Sequence, residues 1–169
     1  MYKIEAAWQT DEGYTAAVLM TGMGHRCGYV GIPSTHPLHG VDYNESTPLL
    51  ADYYNKVKDQ EINIGEDVSV FSLICCGSSE EDRYKPGILL HVHGGITYAS
   101  KGGLYPVPFS DHLWFYGFDC AHPGDARDLS IVDSAIRKIE TDFPRDGVIR
   151  SLEYCVEQCN RLSKQLSQV

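Results

Sequence analysis

Apolar residues gather in strand-length runs along most of the chain and in one helical stripe at its end. Residues 14–20 (Tyr-Thr-Ala-Ala-Val-Leu-Met) and 27–32 (Cys-Gly-Tyr-Val-Gly-Ile) flank a connection with Gly22 and Gly24, and the second run stops at Pro33. Two such runs about a Gly-containing connection predict a β-hairpin. Gly28 and Gly31 weaken its second strand unless a neighbouring backbone or a ligand packs closely there. Runs at 68–75, 88–90 and 113–116 predict three further strands, the first on its β-branched and aromatic content. The polar stretch 77–83 reads as an exposed, mobile loop.

Helical spacing begins at Thr47-Pro48, where the threonine hydroxyl can cap the backbone and proline is pre-set for the first turn. Leu50, Tyr53, Tyr54 and Val57 follow on one face, predicting a helix to about Lys58 or Asp59. A second short helix is expected over Ile131, Val132, Ala135, Ile136 and Ile139, stopped by Pro144. The clearest helix is the last, with Val148, Ile149, Leu152, Cys155, Val156, Cys159, Leu162 and Leu166 in one stripe. Together these elements predict an α+β fold: one domain over residues 1–169, a mainly antiparallel sheet, a long amphipathic C-terminal helix and one or two shorter helices.

Composition narrows the function more than the fold. The 169 residues carry a net charge of -9, with 14 Lys and Arg scattered along the chain. Extended nucleic acid is therefore an unfavourable partner, since that affinity needs clustered cations. No run reaches the ~18 apolar residues of a membrane span and the start lacks an export pattern, so a cytoplasmic protein without a membrane partner is expected. Six cysteines in that setting read as reduced thiols. Cys155 and Cys159 belong to the last helix's apolar stripe and read as core, and without a Cys-x-x-Cys pair a thiolate zinc site is not expected.

Candidate chemistry concentrates in two segments, His91-Val92-His93-Gly94-Gly95-Ile96-Thr97-Tyr98 and Gly117-Phe118-Asp119-Cys120-Ala121-His122-Pro123-Gly124-Asp125. Each follows an apolar run and breaks into Gly, His and Asp. If the two runs are antiparallel neighbours, the segments lie at opposite ends, unless the chain bends back at Gly94-Gly95 and Thr97-Tyr98 continues as strand.

In a strand His91 and His93 share a face and could bind one zinc or manganese ion, with Asp119, His122 and Asp125 as further ligands or a general base. That set describes a metal-dependent hydrolase. Alternatively, the glycines let a small polar ligand lie on the backbone at Gly94 and Gly95, with His93, Thr97, Tyr98, Asp119, His122 and Asp125 orienting it. The irregular loop 33–44 supplies His36 either as a wall of that pocket or as a packed connection. Cys120 as a nucleophile matches no usual signature around a catalytic thiol.

The combination of residues 27–33, His36-Pro37-Leu38, His93-Gly94-Gly95-Ile96-Thr97-Tyr98, and residues 114–122 with Gly124-Asp125 resembles a family of uncharacterised proteins carried by bacteriophages and bacteria. The similarity runs from about residue 25 to the final helix. It implies a small accessory protein in a phage and host cytosol. In that setting the first expectation is sequestration of a small ligand, a nucleotide-type signal being the leading candidate. The metal-dependent hydrolase is the second, and an inhibitor that binds a protein through its acidic surface is the third.

Overall fold

The structure is a computed structural model and describes residues 2–58, 82–142 and 146–169. The expected strand at 68–75 and Pro144 lie outside these residues, as does the loop 77–83 up to residue 81.

The framework is a five-stranded antiparallel sheet. Strands β1 (Tyr2–Gln9), β2 (Thr15–Thr21), β3 (Arg26–Pro33), β4 (Tyr98–Lys101) and β5 (Leu113–Asp119) lie in the order β1-β2-β3-β5-β4. The predicted hairpin is β2–β3. β1 was not expected: its side chains are mostly exposed or half-buried, as in an edge strand, so it presents no apolar run. Its register also shifts between Ile4 and Ala6, which blurs the two-residue period.

Both faces of the sheet are covered, which is why the central strands read as continuous apolar runs. One face carries Val18, Val30, Ile32, Tyr116 and Phe118 against the long final helix; the other carries Ala17, Leu19, Tyr29, Leu113 and Phe115. The two strand glycines make room for aromatic rings from β5. A Cβ at Gly28 would stand 2.4 Å from the Phe118 ring, and one at Gly31 2.6 Å from Phe115.

Helix α1 (Ala51–Lys58) follows a 3-10 turn at Pro48–Leu50, with the Thr47 hydroxyl accepting from the Leu49 N–H. The expected strand at 88–90 is instead the end of a one-turn helix, α2 (Pro86–Leu89). Pro86 sets the first helical position, and the Gly87 N–H reaches the Tyr43 carbonyl at 2.8 Å, an approach that a side chain would obstruct. A short buried apolar run does not distinguish strand from helix. The other helices are α3 (Ser134–Asp142) and α4 (Leu152–Leu166).

α4 begins later than its apolar stripe implied. Ser151 caps it by accepting from the Tyr154 N–H, whereas Val148 and Ile149 precede the helix and are 60% and 47% exposed. Val148 belongs to a two-residue strand, β7 (Gly147–Val148), paired in parallel with β6 (Gly124–Asp125). Likewise Ile131 lies ahead of α3 and is exposed, as is Ile139. Cys155, Cys159, Leu162 and Leu166 are fully buried, each leucine contributing about 1.5–3 kcal/mol. No helix among the described residues is long and apolar enough to cross a membrane.

Candidate functional site

The geometric question left by the sequence resolves through β4. Tyr98 pairs with Gly117, and the Thr97 N–H donates to the Gly117 carbonyl at 2.9 Å. The chain therefore bends before β4, and the first segment precedes that strand rather than ending one. Its start lies beside the exit of antiparallel β5, so the two segments meet at one sheet end. The bend is a turn in which the Gly95 N–H donates to the Val92 carbonyl, with φ of 67° at Gly94 and 91° at Gly95.

Asp125 organises the cluster. Its Oδ2 accepts from the His122 backbone N–H at 3.0 Å and lies 2.8 Å from His93 Nε2, while Oδ1 accepts from Arg150 Nε at 2.7 Å. The β6–β7 pairing brings Arg150 into reach. Burial of the Asp125 carboxylate, whose side chain is 1% exposed, would raise its pKa, but the Arg150, His93 and His122 hydrogen bonds outweigh it and hold the group below its ordinary value.

The other side chains sit around this anchor. His93 Nδ1 is 3.0 Å from the Tyr154 hydroxyl on α4. Asp119 accepts from the Ala121 N–H through Oδ1 at 3.1 Å and from the Thr97 hydroxyl through Oδ2 at 2.9 Å. His122 Nδ1 is buried and makes no hydrogen bond among the described residues, standing 3.7 Å from Asp119 Oδ1 and 3.9 Å from Asp125 Oδ2. His93, His122 and Asp125 each present a ligand atom within 4.8 Å of the other two.

Donors bonded at about 2.1 Å to a tetrahedral ion stand about 3.4 Å apart, so a gap of up to 4.8 Å in this group would have to close by up to about 1.4 Å. Two imidazoles and a carboxylate suit zinc, and the carboxylate share of the set also suits manganese. Supporting groups are in place too, with Arg150 on the far oxygen of Asp125 and Tyr154 on the far nitrogen of His93. A hydroxyl either donates or accepts, so Tyr154 can partner the His93 tautomer that donates to Asp125 and the one that frees Nε2 for an ion.

Several expected members lie elsewhere or have other roles. The His91 imidazole is not in the group, because its stretch is not a strand. The His91 N–H donates to Gln165 on α4 and that of His93 to Gln158. These anchors are seven residues apart, about 10 Å along the helix. His36 is buried at the other end of α4: its Nε2 bonds the Leu166 carbonyl at 2.9 Å, and its Nδ1 accepts from the Leu38 N–H at 3.0 Å. The aromatic ring of Tyr98 packs edge-on to Tyr29 and Tyr105, among the side chains on the sheet face opposite α4.

The glycines also have local explanations. A Cβ on Gly94 would stand 2.1 Å from the His122 ring, and one on Gly117 2.5 Å from the Tyr29 ring, whereas nothing among the described residues lies within 4 Å of the corresponding point at Gly95. Sequence reasoning missed Tyr154, Arg150 and Gln158 as supports. It also missed His25, whose pKa burial lowers while the nearby Asp119 carboxylate opposes that shift.

Burial has a sharper effect on His91. Desolvation, with Arg161 close by, pushes its imidazole from 6.5 down to about 4. The unfolded chain takes up this proton below pH 6.5 and the folded chain only near 4, so stability is full above 6.5 and falls as the pH drops between those values. At pH 5 the loss is about 2 kcal/mol. Urea midpoints at pH 7 and pH 5 should show His91→Gln losing correspondingly less stability than wild type on acidification. An equal loss in both proteins would overturn this assignment.

No protein-family model, curated protein or solved structure matches the chain.

Proposed function

We propose that the chain is a metal-dependent hydrolase whose centre is held by His93, His122 and Asp125, with Asp119 beside it. The observation that carries this reading is the His122 Nδ1, buried without a hydrogen bond among the described residues and facing two carboxylates at 3.7 and 3.9 Å. A bound zinc or manganese ion would supply a Lewis acid and an activated water at neutral pH.

The chain's own groups divide the remaining work. Asp125, fixed by Arg150, and His93, backed by Tyr154, form the buried wall. Asp119 is 30% exposed and, oriented by Thr97, is positioned to take a proton from water as general base. Thr97 is exposed on this side, so a small polar substrate would approach there.

The second reading is sequestration of a small polar ligand, for which a nucleotide remains the first probe. The space left open at Gly95 among the described residues favours it. The phage and bacterial setting suggested by the motifs is compatible with either reading, and an inhibitory acidic surface would require neither ion nor pocket.

Calorimetric titration of the chelator-treated protein with zinc and manganese tests the centre. We expect one equivalent of at least one ion to bind, and His122→Ala to weaken it by more than about 100-fold, since a direct ligand should matter more than its supports. The His122 backbone N–H, which holds Asp125, survives that change. No binding of either ion, or unaltered binding by the variant, would sink the metal reading. A nucleotide panel incubated with the ion-loaded protein then separates catalytic loss from stoichiometric release of intact ligand.

A further inference from the structure

Immediately beside the His/Asp cluster, two thiols face one another in the core. Cys120 directly follows β5 and Cys155 ends the first turn of α4; their sulfurs are 3.6 Å apart and both residues are buried. The backbone at each is fixed, the Cys120 N–H donating to the Arg26 carbonyl at 2.9 Å and the Cys155 N–H to the Ser151 carbonyl at 3.2 Å. Cys159, one turn further along α4, directs its thiol to the Ala17 carbonyl at 3.8 Å. Cys27 belongs to the cluster on the opposite sheet face. The pairing is therefore specific among the described cysteines.

We propose that Cys120 and Cys155 form an oxidisable pair that closes to an intramolecular disulfide when the protein meets hydrogen peroxide. A disulfide bond is about 2.05 Å long, so the sulfurs must approach by about 1.5 Å, through side-chain rotation and a small shift of the first turn of α4. In the first step one thiolate attacks a peroxide oxygen; an S–O bond forms, the O–O bond breaks, and hydroxide leaves. The second sulfur then attacks the sulfenic sulfur; the S–S bond forms, the S–O bond breaks, and the oxygen leaves as water with the second thiol's proton. The balance is two thiols and one peroxide to one disulfide and two waters.

Access sets the rate. Both sulfurs are shielded from solvent, so the reaction requires opening at the start of α4 and should be slower than that of a free thiol. The bond would join the strand end bearing Asp119 to the helical turn bearing Tyr154. An accompanying change in ion affinity rests on the proposed centre; formation of the disulfide does not.

The test uses the full chain, reduced, desalted, exposed to peroxide, then alkylated under denaturing conditions and mapped by non-reducing mass spectrometry. We expect peptides joined through Cys120 and Cys155 with loss of two hydrogens, reversal by dithiothreitol, and no joined product from Cys155→Ser. Exposed Met23 is an internal control for oxidant reaching the protein. Met23 sulfoxide with both thiols still fully alkylated would overturn the proposal. So would a bond mapped to any other pair, and because both results come from wild-type protein, neither depends on the variant folding.

Discussion

Asp125→Ala should lower the unfolding free energy by about 3–5 kcal/mol, the range for removing one partner of a buried ion pair. Three donors converge on this carboxylate: Arg150 Nε at 2.7 Å, His93 Nε2 at 2.8 Å and the His122 N–H at 3.0 Å. Arg150 can turn toward water, being 28% exposed, but the His93 side chain is only 10% exposed and has nowhere equivalent to go. The loss would be a large share of the 5–15 kcal/mol that holds a typical domain together.

Denaturant midpoints for Asp125→Ala should be taken with chelator present, so that the effect on the fold is separated from any effect of a bound ion. Because the folded-state pKa is depressed, the stabilisation is fully present above the unfolded value of 3.8 and disappears as pH falls through the folded one. The deficit of the variant should therefore be the same at pH 7 and pH 5. A loss under about 1 kcal/mol at pH 7 would mean that Asp125 does not anchor the two segments.

How much of this was legible in the sequence differs by element. The β2–β3 hairpin, the Thr47 cap and the body of α4 are written in local pattern, and each forms where that pattern lies. The run at 88–90 was misleading because buried strand and buried helical turn have the same composition there. Proline at 86 was the available local signal. Val148 and Ile149 extended the α4 stripe on paper, yet Ser151 starts the helix, since a cap supplies an acceptor that apolar spacing does not encode.

The candidate site was legible in residue type and not in arrangement. Gly, His and Asp after apolar runs marked both segments, but only the pairing of β4 with β5 decided that they meet. His91 and His93 looked equivalent because the His-x-His spacing presumed a strand. Tyr154 and Arg150 gave no sign of their roles: one lies in the first turn of a helix whose stripe attracts the attention, and the other is carried in by a two-residue parallel pairing. Gly94 had a visible signal with an unexpected cause, since the volume it vacates holds the His122 ring.

Gln165→Leu should prove nearly as damaging as loss of Asp125, by about 3–5 kcal/mol, although the side chains are close in size and neither carries a charge. Gln165 Oε1 accepts from the His91 N–H at 2.7 Å and from the Tyr53 hydroxyl at 3.4 Å, and Nε2 donates to the His91 carbonyl at 2.8 Å. Leucine would leave these buried groups unpaired, at about 1–3 kcal/mol for each well-formed hydrogen bond. Gln158, seven residues earlier on the same helix, accepts among the described residues only from the His93 N–H, at 3.0 Å. Gln158→Leu should therefore cost about 1–3 kcal/mol, yet disturb ion binding more, because it releases the backbone of a proposed ligand. Urea midpoints and amide hydrogen exchange distinguish the two: the His91 amide should lose protection in Gln165→Leu and the His93 amide in Gln158→Leu. If Gln165→Leu unfolds at the wild-type midpoint with the His91 amide still protected, α4 does not hold this segment through its glutamines.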